Sequence, residues 1–176
     1  MSNSEEHTTS AFMQEPTMRQ RACLAVLVAA ILGVSACGPS VDLMTALQVD
    51  GLNTGWSDAG DADGLNKITP SISFRLTNTS PAVLGPLHVN AVFRQAGHAS
   101  EWSARFIPVA GSQGLSAGKS TTLNVTADLG YTSVDPVDDM LLNSRFVDAD
   151  VDVYARYGSS QWVRLARYRI DRHLLQ

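Results

Sequence analysis

The residues from which active sites and metal centres are most often built are scarce in this sequence. Two cysteines and four histidines occur among 176 residues. Cys23 lies in an apolar stretch with the character of a removable leader, so Cys37 is left without a partner for an intramolecular disulfide. His88, His98 and His173 show neither His-x-x-His nor His-Glu-x-x-His spacing, and packing or surface roles are expected for them rather than metal ligation. No Gly-x-Ser-x-Gly nucleophile elbow is present. Basic residues are outnumbered 13 to 17 by acidic ones, and a net charge of -4 excludes nucleic-acid binding through a global basic field. The apolar stretch at 22–36 has 15 residues, short of the roughly 20 that cross a bilayer core.

What is present begins with a change of composition at Met18. Residues 1–17, "MSNSEEHTTSAFMQEPT", are polar and aperiodic, whereas Arg19 and Arg21 open a positive segment followed by Ala, Leu, Val and Ile up to Ala36. That order is the order of a secretory signal peptide at 18–36. The acidic Glu5, Glu6 and Glu15 oppose such a positive segment, so residues 1–17 read as a non-native overhang, the alternative being a disordered N-terminal extension.

Val34-Ser35-Ala36-Cys37 resembles the lipobox of bacterial lipoproteins, an aliphatic residue and two small ones ahead of a cysteine. The resemblance implies a diacylglyceryl group on Cys37, cleavage after Ala36 and acylation of the new amino terminus. Two or more chains give firm anchoring where one gives marginal binding. Gly38 stands where inner-membrane lipoproteins of this class often carry Asp, which favours the outer membrane. Ordinary secretion is the alternative, because Val34 and Ala36 also satisfy the small-residue rule of simple cleavage.

Residues 37–40 then form an anchor and short tether, and 41–176 the folded domain, with 11 basic and 14 acidic side chains in the mature chain. Alternation of period two dominates this part. Strands are expected at 41–49, 71–78, 87–94, around Trp102, Ala104 and Phe106, and at 120–127. In "SVDPVDDMLLN" a short helix is expected, with Asp135 as cap and Pro136 at its first position. At the end of the chain, a turn at Gly158–Gln161 sets Tyr157 opposite Trp162, Val153 opposite Ala166, Asp152 opposite Arg167 and Asp150 opposite Arg169. One register satisfies both packing and charge, and a slip by one residue reverses the faces.

About seven short strands with turns between them predict an all-β, antiparallel, immunoglobulin-like β-sandwich with one short helix between late strands. The strings "FRLTNTS…LHVNAVF" and "LSAGKSTTLNV" resemble bacterial immunoglobulin-like domains of secreted lipoproteins over about 50 residues. There a strand ends in Asn-x-Ser, and a later turn reads Leu-x-x-Gly before a Thr-rich strand. The immunoglobulin Cys and Trp pattern is missing.

The remaining motifs weaken when their chemistry is required. "GLSAGKST" has Gln113 where a phosphate loop needs glycine, and a strand-like run follows where a helix is needed. Ser116-x-x-Lys119 has no Ser-Asp-Asn or Lys-Thr-Gly partner. "DAGDADG" at 58–64 has Ala59 and Pro70 where a calcium loop needs acids and reads as a solvated Asx-rich loop. Asp148, Asp150 and Asp152 share a strand face with arginines opposite, which explains them without a metal.

The expectation is therefore a non-enzymatic, cofactor-free module, held to the membrane on its periplasmic side and serving interaction or envelope assembly with a protein partner. A small-molecule or lipid-binding accessory of envelope transport is the alternative. The expected interaction surface is Arg164, Arg167 and Arg169, available to anionic lipid, glycan or an acidic partner although neighbouring aspartates also account for their charge, together with Trp56 as the tryptophan exposed in a glycine-rich loop. Periodicity assigns Trp162 to the core.

Overall fold

A computed structural model describes residues 41–176. The extension expected at 1–17, the signal peptide expected at 18–36 and the anchor and tether expected at 37–40, with Cys37, lie outside the described residues.

Strand alternation produces eight strands: β1 Leu47–Ala62, β2 Leu65–Asn78, β3 Leu87–Gln95, β4 Ser103–Ala110, β5 Ser120–Thr126, β6 Tyr131–Ser133, β7 Ala149–Tyr157 and β8 Val163–Arg169. One sheet has the order β1-β2-β5, with β6 also on β2, and the other has the order β4-β3-β7-β8. All these pairings are antiparallel. The two sheets form the immunoglobulin-like all-β sandwich that the turn spacing predicts, β6 being a three-residue addition to the expected seven.

Each sheet turns one face inward. Trp56, Ile68, Ile72, Phe74 and Leu76 meet Leu87, Val89, Ala91, Phe93, Val151 and Val153, all fully or almost fully buried. Burial of each large side chain contributes about 1.5–3 kcal/mol, and the period of two leaves the alternate residues for the outer faces.

The expected strand at 41–49 is corrected. Asp42 caps a single helical turn, α1 Leu43–Ala46, by accepting a hydrogen bond from the Met44 amide at 3.0 Å. Leu43 and Ala46 close the base of the core, and the strand starts only at Leu47. Strand β1 then runs through the segment expected to be a loop. Asp58 to Ala62 pair with Leu65 to Ile68, and only Asp63 and Gly64 make the turn, both at positive φ. The late helix, α2 Val137–Met140, is present, but Pro136 is its cap residue and the Asp135 carboxylate accepts from Ser133 Oγ at 2.8 Å.

Asn78 shows how two distant loops are joined. Fully buried, it donates from Nδ2 to the carbonyls of Ala82 (2.7 Å) and Leu115 (2.8 Å). Its Oδ1 accepts from the amide (3.0 Å) and hydroxyl (2.7 Å) of Ser80. The Gly118 amide donates to the Asn78 carbonyl at 2.8 Å. Asn-x-Ser at 78–80 and Leu-x-x-Gly at 115–118 are thus halves of one clasp. It requires glycine where the loops touch: a Cβ on Gly85 would lie 2.5 Å from the Gly114 Cα, and Gly114 itself has φ +68°.

The sheets are also sewn together along both edges. Thr54 Oγ1 of β1 donates to the Arg169 carbonyl at 3.2 Å and accepts from the Asp171 amide at 3.1 Å. Ser103 Oγ of β4 accepts from the Asp128 amide at 3.1 Å. Beyond β8 the chain crosses to β1: the Trp56 amide donates to the His173 carbonyl, and the Leu175 amide to the Trp56 carbonyl, both at 2.8 Å. Leu174 pairs with Trp56 in parallel, covering the outer edge of β1 there.

Candidate functional site

Strand β7 buries Ala149, Val151, Val153 and Ala155, so Asp150, Asp152, Tyr154 and Arg156 project from the outer face of the β4-β3-β7-β8 sheet. Asp152 is nevertheless only 2% exposed, because arginines roof it. Arg167 donates Nε and Nη2 to its two carboxylate oxygens, each at 2.8 Å. Arg94 of β3 bonds the same carboxylate, and Arg164 approaches at 3.5 Å. The Arg167 hydrogen bonds hold the Asp152 carboxyl below its ordinary range; burial opposes this, and the positive fields of Arg167, Arg94 and Arg164 reinforce it. Next along the face, Arg169 Nε meets Asp150 at 2.5 Å, and Arg172 Nε meets Asp148 at 2.8 Å.

The anticipated cross-strand pairs Asp152–Arg167 and Asp150–Arg169 are present, but the register departs from expectation nearer the turn. Asp150 to Val153 face Arg169 to Ala166 as predicted, and then Tyr154 faces Arg164 and Ala155 faces Val163. Leu165 is the extra residue of a bulge. Three positions apart, Arg164 and Arg167 would point to opposite faces of a regular strand, and the bulge brings both to the outer one.

Toward the turn the same face becomes aromatic. His88 of β3 stacks on Phe106 of β4 with ring centroids 5.1 Å apart, Phe106 meets Trp162 edge to face at 6.1 Å, and the Arg156 guanidinium lies 4.8 Å from the Trp162 ring centroid. Phe106 is 55% and Trp162 36% exposed. Trp162 is therefore a surface residue and not the core residue that periodicity suggested: the bulge carries it out of register with Tyr157.

Trp56 is corrected in the other direction. It is fully buried in β1, with the rings of Phe146, Tyr131 and Trp102 at 4.7, 5.7 and 6.3 Å. Its neighbours Gly51, Gly55 and Gly60 suggested a loop, yet β1 passes through all of them. The one sequence signal for a strand, Trp56 two residues after Thr54, is short. The expected surface thus consists of Arg164, Arg167 and Arg169 without Trp56, and Arg94, Phe106, Arg156 and Trp162 join it.

A hollow of about 460 Å³ opens beside Arg94, His98, Tyr154 and Arg167 on this face. A smaller one of about 140 Å³ lies at the far end, beside Tyr131, Asp135 and Phe146. The carboxylates at 58–63 bond their own turn, Asp58 accepting from the Gly60 amide at 2.8 Å and Asp61 from the Gly64 amide at 2.9 Å. Among the described residues, no group of three or more His, Cys, Asp or Glu side chains is placed to hold a metal ion. Among them too, no helix is long and apolar enough to cross a membrane.

No protein-family model and no curated protein matches the chain. Among solved structures, the "X-ray structure of Northeast Structural Genomics Consortium target SoR45" is similar at a TM-score of 0.43 and 12% identity, covering 73% of this chain and 89% of that one. A likeness so distant says nothing about activity.

Proposed function

We propose that the chain is a lipid-anchored, non-enzymatic interaction module of the periplasm, fastened to the membrane through Cys37 and recruiting a protein partner with the arginine-bearing part of the outer face of its β4-β3-β7-β8 sheet, around Arg164, Arg167 and Arg169. The observation that carries the reading is the string Val34-Ser35-Ala36-Cys37, placed behind a positive and then an apolar segment and four residues ahead of Val41. Gly38 favours the outer membrane. The recruiting face is supported by Arg167 and Arg169, whose side chains keep 53% and 55% of their surface open while bonded to aspartate. Their remaining N–H groups suit an acidic partner.

Replacing Cys37 with Ser tests the anchor. Loss of the acyl mass and of membrane association is expected, and an unchanged mass with unchanged fractionation refutes it. For the recruiting face, a photo-crosslinking residue at Arg169 is expected to give one discrete adduct in intact cells, where the same residue at Asn124, on the opposite sheet, gives none. Equal labelling from both positions removes the basis for a specific face.

A further inference from the structure

We propose that the surface patch of the exposed Trp162 and Phe106 with the half-buried Arg156 is a second membrane contact, docking on anionic phospholipid headgroups beside the acyl anchor; this rests on the lipid-anchored reading above. The argument begins with reach. Cys37 to Val41 is four residues, and a fully extended chain covers about 14 Å in that length. Where the tether joins the body is also fixed: the Val41 amide donates to Tyr157 Oη at 2.8 Å, and Tyr157 is the residue next to Arg156 at the β7–β8 turn. The end of the sandwich that carries Trp162 and Arg156 is therefore the end held against the membrane.

Exposure and charge agree with that orientation. Met44 of α1 and Val83 of the β2–β3 loop, 54% and 58% exposed, belong to this same end. Aromatic rings with a polar edge settle at the headgroup level of bilayers, and Arg side chains extend their charge to the phosphates there. Among the described residues no carboxylate forms an ion pair with Arg156 or with Lys119, which precedes β5 at this end. Most acidic side chains lie toward the opposite end, with Asp61 and Asp63 at and beside the β1–β2 turn, Glu101 between β3 and β4, and Asp135, Asp138 and Asp139 between β6 and β7, while Asp42, the cap of α1, lies at the docking end. The balance of charge therefore turns the end with Arg156 and Lys119, rather than the acidic one, toward an anionic surface.

The test uses the mature protein, its mass measured first, in vesicles of phosphatidylglycerol and phosphatidylethanolamine. Some vesicles carry a bromine quencher in the upper acyl chain. Trp162 is expected to be quenched and shielded from aqueous iodide, and the acylated Trp162→Phe variant to lose that response, because Trp56 is buried and Trp102 packs against it at the far end. Vesicles of phosphatidylcholine alone are expected to give less quenching. An acylated, vesicle-bound protein whose Trp162 stays open to iodide overturns the docking and leaves the anchor standing. A mature protein without acyl groups overturns the anchor, and the docking with it.

Discussion

At the scale of single residues, the two tryptophans that exchange places between expectation and structure make opposite predictions. Trp56 is enclosed by three aromatic rings, so Trp56→Ala is expected to cost about 3–5 kcal/mol. Trp162→Ala, at the surface, is expected to cost less than about 1 kcal/mol, with chemical denaturation the measurement for both. Asp152 predicts a pH dependence. Its carboxyl titrates lower in the folded chain than in the unfolded one, so its stabilisation is complete above the unfolded value near 3.9. That stabilisation is lost as the pH falls through the lower, folded value. Asp152→Asn is expected to lower stability by about 1–3 kcal/mol at pH 7, since the arginines left behind are partly solvated. The variant's thermal midpoint is also expected to fall less than that of the wild type as acid is added.

At the scale of elements, the clasp between the β2–β3 and β4–β5 loops predicts that Asn78→Ala strands the carbonyls of Ala82 and Leu115. A loss of about 2–4 kcal/mol is expected, read as a lower urea midpoint at unchanged slope. The strings that form the clasp were readable in the sequence as turn chemistry, but their contact was not, since 37 residues separate Asn78 from Leu115. Strand positions were legible where alternation was clean, as in Ile72, Phe74 and Leu76 or Leu87, Val89 and Ala91. It failed where glycines diluted the pattern, and β1 was hidden for that reason. The charged half of the candidate site was legible from Asp152 and Arg167, whose register is fixed by packing. Its aromatic half was not, because the bulge at Leu165 shifts the side-chain alternation and leaves no mark in composition.

At the scale of the whole molecule, the pairing at the centre of the β4-β3-β7-β8 sheet is long-range: Leu87 of β3 faces Tyr157 of β7, 70 positions along the chain. No hairpin buries its apolar face alone, and refolding in milliseconds to seconds is expected, not microseconds, with tryptophan fluorescence in stopped flow as the measurement. The crossing of the chain end onto β1 bears on self-association. Strand β1 is the outermost member of its sheet, and around Trp56 its outward N–H and C=O are taken by His173 and Leu175 of the same molecule. A cut before His173 would leave that amide and carbonyl facing solvent as a template for a foreign strand. Residues 173–175 thus act as a guard on this one strand edge, and proteolytic trimming there would open a further stretch of backbone to pairing with another chain.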